Sequence, residues 1–195
     1  MSRLPYSYVG IPLTKAPFDK VTIEVFVDFF CPFSAKASPV LFQLAALDGV
    51  AVRVIPYPQP WHWEGGVIAT CFNVVCKNMP DNAVEYYIAL MKNITKFKEE
   101  GKKTSVGAIQ ELAFSLLPMS KEMKMKKETF MEECNDDESP GVIRMLKNQI
   151  KYGRTNAIHE TPTYKVNGLV VGASSSWDLS KWKEFLKGLL SEECQ

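Results

Sequence analysis

The sequence predicts an α/β fold in a single domain over residues 1–195. Three observations carry this prediction. Segments rich in β-branched and aromatic residues, which favour strands, lie near both ends of the chain. In the middle, about 62–152, apolar residues recur at the spacing of amphipathic helices. After the last predicted strands, apolar residues again recur on one face of a predicted helix. A chain of this length buries roughly 70% of its unfolded surface, so it needs no metal or disulfide to form a core.

The first elements form a predicted β-α-β unit. Val21–Asp28 is predicted to be a buried strand, and a helix is expected from Pro32 to about Leu47 because apolar residues recur on one face. Val50–Ile55 is the next predicted strand. A strand, a crossover helix and a second strand favour a parallel pair.

The middle section, about 62–152, is predicted to be a helical insertion. Ser139 and Pro140 are a typical start for its last helix, and Gly153 is the expected C-terminal cap. The run 121–127 mixes lysines with methionines and has acids nearby, which is typical of a solvated amphipathic face.

The last section returns to strands. Asn167-Gly168 separates two apolar runs, Thr163–Val166 and Leu169–Gly172, and this is a strong hairpin signal. Ser176 or Asp178 is expected to cap the final helix.

Composition excludes several classes of function. The 23 Lys and Arg residues balance 22 Asp and Glu residues, so the net charge of +1 provides no field for nucleic acid or an acidic membrane. No stretch reaches the roughly 20 apolar residues of a membrane-spanning helix. Cys71 and Cys76 lack the paired ligands of a zinc site, so no metal is expected.

The N-terminal residues and the cysteine count favour the cytoplasm. The first twenty residues lack the apolar core of a secretory signal and contain three prolines. Five cysteines are an odd number, which fits a reducing compartment better than a closed disulfide framework. A secreted form whose signal had been removed is compatible with the same observations.

Cys31 is the candidate nucleophile. It follows a strand and begins a helix, where unpaired N–H groups and the positive end of the helix dipole stabilise a thiolate. Pro32 suits the first helical position, and Ser34 places a hydroxyl one turn from the sulfur. The alternative is a buried cysteine that happens to precede a helix.

Thr161-Pro162 directly precedes the hairpin. A proline that begins a strand cannot donate a hydrogen bond to the ladder, so an open sheet edge is expected here. Such an edge can pair with an extended peptide.

These features together resemble the thioredoxin fold, specifically the DsbA-like family with its helical insertion. The resemblance covers nearly the whole chain: a strand leading into Cys31-Pro32, a helical insertion beginning at His62, and Thr161-Pro162 before a Val-Asn-Gly hairpin. It implies that Cys31 is the nucleophile, that the Thr161–Pro162 bond is cis, and that Thr161 lies beside the sulfur. Ser34 stands where the family usually has a second cysteine.

The resemblance implies a monothiol thiol–disulfide oxidoreductase that acts on protein or glutathione disulfides. Ser34 is expected to donate a hydrogen bond to the Cys31 thiolate, and an external thiol is needed to resolve the mixed disulfide. No tightly bound cofactor is expected, although glutathione is a candidate co-substrate. The expected substrate contacts are Pro32, Phe33, Thr161, Pro162 and His62.

Two other functions stay open at this point. One is a glutathione-dependent transferase or isomerase resembling the kappa class, in which the region of Cys31 and Ser34 would hold the glutathione sulfur without reacting. A binding module that kept the groove and lost turnover is the non-enzymatic alternative. For His62, the alternative to lining the groove is a packed aromatic cluster with Trp61 and Trp63.

Overall fold

A five-stranded β-sheet forms the centre of the protein, of which the computed structural model describes residues 10–13, 20–118, 125–138 and 141–191. The strands are β1 (Ile11–Pro12), β2 (Val21–Val27), β3 (Val50–Pro56), β4 (Thr163–Val166) and β5 (Leu169–Val171). Their order is β1-β3-β2-β4-β5, in which β2 and β3 are parallel and the other neighbours are antiparallel.

The predicted β-α-β unit is present. Helix α1 (Pro32–Ala45) connects β2 to β3, and the two strands pair from Val21 opposite Val50 to Val27 opposite Pro56. Both strands are buried along nearly their whole length, which explains their almost continuous apolar sequence.

The stretch predicted to be helical lies between β3 and β4. Its described helices are α2 (Trp63–Asn78), α3 (Ala83–Lys92), α4 (Ile94–Gly101), α5 (Val106–Ser115), α6 (Lys127–Cys134) and α7 (Val142–Thr155), and α8 (Leu179–Leu190) follows β5. Ser139 and Pro140, the predicted start of the last inserted helix, lie outside the described residues, as do residues 121–124 of the predicted solvated face.

Gly153 is not the C-terminal cap of α7. The helix continues to Thr155, and Asn156 is the capping residue. Gly153 is instead packed against the ring of Tyr57, which a Cβ at this position would overlap. The prediction was wrong because a glycine near a helix end can serve close packing as well as capping.

The hairpin forms as predicted, but its first strand is not an open edge. Asn167 and Gly168 both have positive φ, 48° and 85°, which suits a tight turn between antiparallel strands. Strand β4 pairs with β2 on one side and with β5 on the other. Strand β4 is therefore internal to the sheet, and among the described strands the edges are β1 and β5.

A buried charged pair fixes α7 to the sheet. Glu24 on β2 and Lys165 on β4 are cross-strand partners whose charged groups lie 3.1 Å apart, each side chain only 5% exposed. The Tyr152 hydroxyl donates to Glu24 at 2.8 Å, and the Lys165 ammonium donates to the Asn156 side chain at 2.7 Å. This network anchors the segment that runs from α7 toward Thr161.

Candidate active site

Cys31 lies at the start of α1, as its N-terminal capping residue. Its backbone is extended and its carbonyl accepts from the Ala35 N–H at 3.1 Å, so the helix begins immediately after it. The side chain is 6% exposed, and its thiol donates to the Thr161 carbonyl at 3.2 Å. The sulfur therefore sits where the positive end of the helix dipole favours negative charge.

The loop before β4 forms the opposite wall of the site. The Thr161–Pro162 peptide bond is cis, the isomer that the sequence predicts. Thr161 is buried, and its hydroxyl has no hydrogen-bond partner among the described residues. The tertiary structure thus brings Cys31 into contact with a residue 130 positions further along the chain.

Ser34 is placed differently from the expectation. Its side chain is fully buried, and its hydroxyl accepts a hydrogen bond from the Asp28 backbone N–H at 3.3 Å. Within the described residues, the polar contact of the Cys31 thiol is with Thr161 and not with Ser34. The hydroxyl points back toward the end of β2 because that strand leaves an N–H there without a ladder partner.

Asp28 is a central residue of the site that the sequence analysis did not single out. Its side chain is 0% exposed, and its carboxylate accepts from the backbone N–H groups of Phe30 and Gln59 at 2.9 and 3.1 Å. His62 Nδ1 lies 2.7 Å from the same carboxylate. The sequence signal that could have identified it is an acid directly after the residues of β2, three positions before the cysteine.

His62 is both anchored and accessible. Because a carboxylate can only accept, Nδ1 carries the hydrogen in this pair and Nε2 is the remaining ring nitrogen. The ring packs edge-on against Phe30 and Trp61, with centroids 5.3 and 6.2 Å away, and the side chain is 21% exposed. His62 thus packs among aromatic rings and lines a cleft, but Cys31 is not among the residues of that cleft, so a groove position for His62 beside Cys31 stays a prediction.

The cleft has a volume of about 480 Å³ and lies between two segments that lead into the site. One is the proline-rich bend 57–63, tied to Asp28 through Gln59 and His62. The other is the segment 158–159, held where the Tyr57 hydroxyl donates to the Ile158 carbonyl at 2.9 Å. The residues that line the cleft are Tyr57, Pro58, Gln59, Pro60, Trp61, His62, Trp63, Gly66, Ile150, Arg154, Ile158 and His159.

Exposed aromatic side chains lie close to Cys31 in the sequence and along the cleft. Phe33 and Trp61 are 60% and 67% exposed, and Trp63 is also exposed. Pro32 is exposed beside Cys31. Isolated exposed aromatic side chains are common, but Trp61 and Trp63 line the same cleft, which is typical of a binding surface.

The described residues contain no group of His, Cys, Asp and Glu side chains that could hold a metal ion. Among the same residues, no helix has the length and hydropathy needed to cross a membrane.

Solved structures with the same architecture exist. A protein from Pseudomonas syringae, provisionally assigned as a protein-disulfide isomerase, is 27% identical, with 90% of this chain and 97% of that chain covered and a TM-score of 0.73. The catalytic domain of Proteus mirabilis ScsC is 18% identical over 95% of this chain and 92% of that chain, with a TM-score of 0.68. A periplasmic thioredoxin-like protein from Salmonella enterica serovar Typhimurium is 13% identical, with 95% and 92% covered and a TM-score of 0.63.

These similarities confirm the predicted thioredoxin-like fold with inserted helices. No family model matches the sequence, and the search among curated proteins gives no significant match. The predicted cytoplasmic location has no support among these structures, one of which is described as periplasmic.

Asp28→Ala is expected to lower the free energy of unfolding by about 2–4 kcal/mol, because two buried N–H groups and the His62 ring lose their acceptor. His62→Ala should cost less, about 1 kcal/mol, since the ring is partly exposed. Urea unfolding measures both values. Asp81→Ala is the control: its side chain is exposed, and the change should stay within about 0.5 kcal/mol. A loss for Asp28→Ala no larger than that for Asp81→Ala would contradict the anchoring role.

Cys31 is expected to be alkylated before Cys71, Cys76 and Cys134 in the native protein near neutral pH. Burial raises the pKa of the Cys71 and Cys76 thiols, so they stay protonated, and Cys134 is almost fully buried. Brief treatment with iodoacetamide followed by peptide mapping measures the order, and Cys31→Ser should remove the fast phase. Labelling of Cys71 or Cys76 at the rate of Cys31 would be the contrary result. Cys194 lies outside the described residues and is scored separately.

Proposed function

We propose that this DsbA-like protein of the thioredoxin fold is a thiol–disulfide oxidoreductase that reacts through the single thiol of Cys31. The observation that carries the proposal is the position of that thiol, at the N-terminus of α1 and 3.2 Å from the carbonyl of Thr161, which precedes the cis Pro162. The 27% identical Pseudomonas syringae protein, with its assignment as a protein-disulfide isomerase, supports the same class of reaction.

In the first step, the Cys31 thiolate attacks one sulfur of a substrate disulfide. The substrate S–S bond breaks, a new bond joins Cys31 to the attacked sulfur, and the other substrate sulfur leaves as a thiolate that takes up a proton. The start of α1 favours the thiolate through its unpaired N–H groups and its dipole. Once the Cys31 proton is lost, the Thr161 carbonyl no longer accepts from the thiol and becomes available to a substrate backbone N–H.

In the second step, an external thiol resolves the mixed disulfide. Its thiolate attacks the substrate sulfur bound to Cys31, which regenerates the Cys31 thiolate and joins the two external sulfurs. Ser34 cannot perform this step because its side chain is a hydroxyl that accepts from the Asp28 N–H. Glutathione or the thiol of a protein substrate is the proposed second reactant, and no bound cofactor takes part.

The surface around Cys31 and the cleft lined by His62 are together the proposed site for the rest of the substrate. Phe33 and Trp61 offer exposed rings to apolar side chains, and Arg154 adds a positive charge to the lining. His62 has Nδ1 fixed by Asp28, so Nε2 can accept from a substrate N–H or, when the ring is protonated, donate to a carboxylate. Pro32 and Pro162 complete the surface around the sulfur.

Oxidised glutathione and intact-mass detection test the proposal. The native protein should gain one glutathione on Cys31, and reduced glutathione should remove it. Cys31→Ser should gain none at this site, whereas Cys76→Ser should react like the parent because Cys76 lies in α2, away from the loop before β4. Reversible glutathione binding without an adduct would contradict the proposal in favour of a transferase-like site, and neither binding nor adduct would favour a binding module.

Ser34→Cys is expected to convert Cys31 into a self-resolving site. Residues three apart at a helix start share one face, and this spacing suits a redox-active cysteine pair. The variant should form an internal disulfide in mild oxidant, losing two free thiols together, and should reduce insulin several-fold faster than the parent.

Ser38→Cys is the matched control for this substitution. Ser38 is also a buried serine of α1, but it lies about two turns from Cys31, roughly 10 Å along the helix, so no bond to Cys31 should form. If Ser34→Cys forms no more internal disulfide than Ser38→Cys, residues 31 and 34 are not arranged as a redox pair.

A further inference from the structure

Two thiols that the proposed reaction does not use meet inside the helical region. Cys71 on α2 and Cys134, the last residue of α6, have their sulfurs 3.6 Å apart, and the Cys134 thiol donates to the Cys71 sulfur. Cys71 is 0% exposed and Cys134 is 2% exposed. Both are free thiols in the structure.

We propose that Cys71 and Cys134 form a second redox site, a buried dithiol that oxidises to a disulfide and ties α6 to α2. The sulfurs of a disulfide are about 2.0 Å apart, so closing the bond from 3.6 Å requires a movement of about 1.6 Å shared by two side chains.

A second contact on the surface already holds the two helices side by side. Glu133, the neighbour of Cys134, accepts from the Lys77 ammonium at 2.9 Å and from the Asn78 side chain at 3.1 Å, both at the end of α2. The two cysteines lie between this surface contact and the core, where Phe130 of α6 is fully buried. This arrangement limits the sliding of α6 along α2 and keeps the two sulfurs together.

A disulfide would matter for a helix as short as α6. An eight-residue helix has little stability of its own and depends on packing against its neighbours. A covalent link at its last residue would hold it against α2 when the surface contact opens. In the unfolded chain the same link would close a long loop between Cys71 and Cys134, which restricts the unfolded ensemble.

The oxidation proceeds by exchange with a small disulfide. One of the two thiolates attacks the oxidant and releases one thiol, and the neighbouring thiolate then attacks the mixed disulfide and releases the second thiol. Two thiols of the protein are oxidised and one external disulfide is reduced, with two protons passing to the two thiols released. Burial raises the pKa of Cys71, so little of its thiolate is present and the reaction is slow at neutral pH.

The experiment uses the full chain with Cys31→Ser, so that its result does not depend on the proposed function. The folded Cys31→Ser variant is incubated with oxidised glutathione, and the exchange is stopped with acid. The samples are then unfolded and their remaining thiols are alkylated. Intact mass and non-reducing peptide mapping should show a chain that has lost two thiols, with the peptides of Cys71 and Cys134 linked. The linked form should have a higher thermal midpoint, which returns to the starting value after reduction.

Three comparisons make the result decisive. Adding Cys76→Ala should leave the link unchanged, and adding Cys71→Ala should abolish it. The chain unfolded in urea shows that the oxidant is active. The folded chain is tested both without urea and in urea just below the unfolding transition. If it keeps both thiols at Cys71 and Cys134 under both conditions while the unfolded chain is oxidised, the proposal is overturned. A link between any other pair of cysteines would overturn it as well.

Discussion

The buried carboxylate of Asp28 holds together the segments that surround Cys31. It accepts from Phe30 in the turn before α1, from Gln59 in the proline-rich bend after β3, and from His62 at the start of α2. A buried charge is costly unless every lone pair finds a donor, so these three segments must adopt positions that supply the donors. The shape of the turn and the position of one cleft wall therefore depend on the same side chain.

The opposite wall depends on a second buried charge in the sheet. The pair of Glu24 and Lys165 joins β2 to β4, and its contacts with Tyr152 and Asn156 fix the end of α7. The loop that carries Thr161 to the sulfur runs from this anchored end into β4. The distance between Cys31 and Thr161 thus depends on two polar networks, one at each side of the site.

The cysteines show how environment divides one residue type into different roles. Cys31 lies at a helix start, and under the proposed function the serine at position 34 leaves its chemistry to external thiols. Cys71 and Cys134 lie in the interior of the helical region, where their two sulfurs are 3.6 Å apart. Under the two proposals, substrate exchange takes place at Cys31, and the cross-link that would stabilise the fold forms separately between Cys71 and Cys134.

The sequence by itself determined the features that depend on local pattern. The apolar run of β2 and β3, the Asn167-Gly168 turn and the position of Cys31 at a helix start follow from side-chain periodicity and backbone preference, which act over a few residues. Tertiary structure alone decided the partners of Asp28, the direction of the Ser34 hydroxyl, the pairing of β4 on both sides, and the packing of Gly153 on Tyr57. These contacts arise between residues that are distant in the chain, or in turns whose course depends on distant residues. A buried polar group then binds the partner that the fold brings within hydrogen-bond distance.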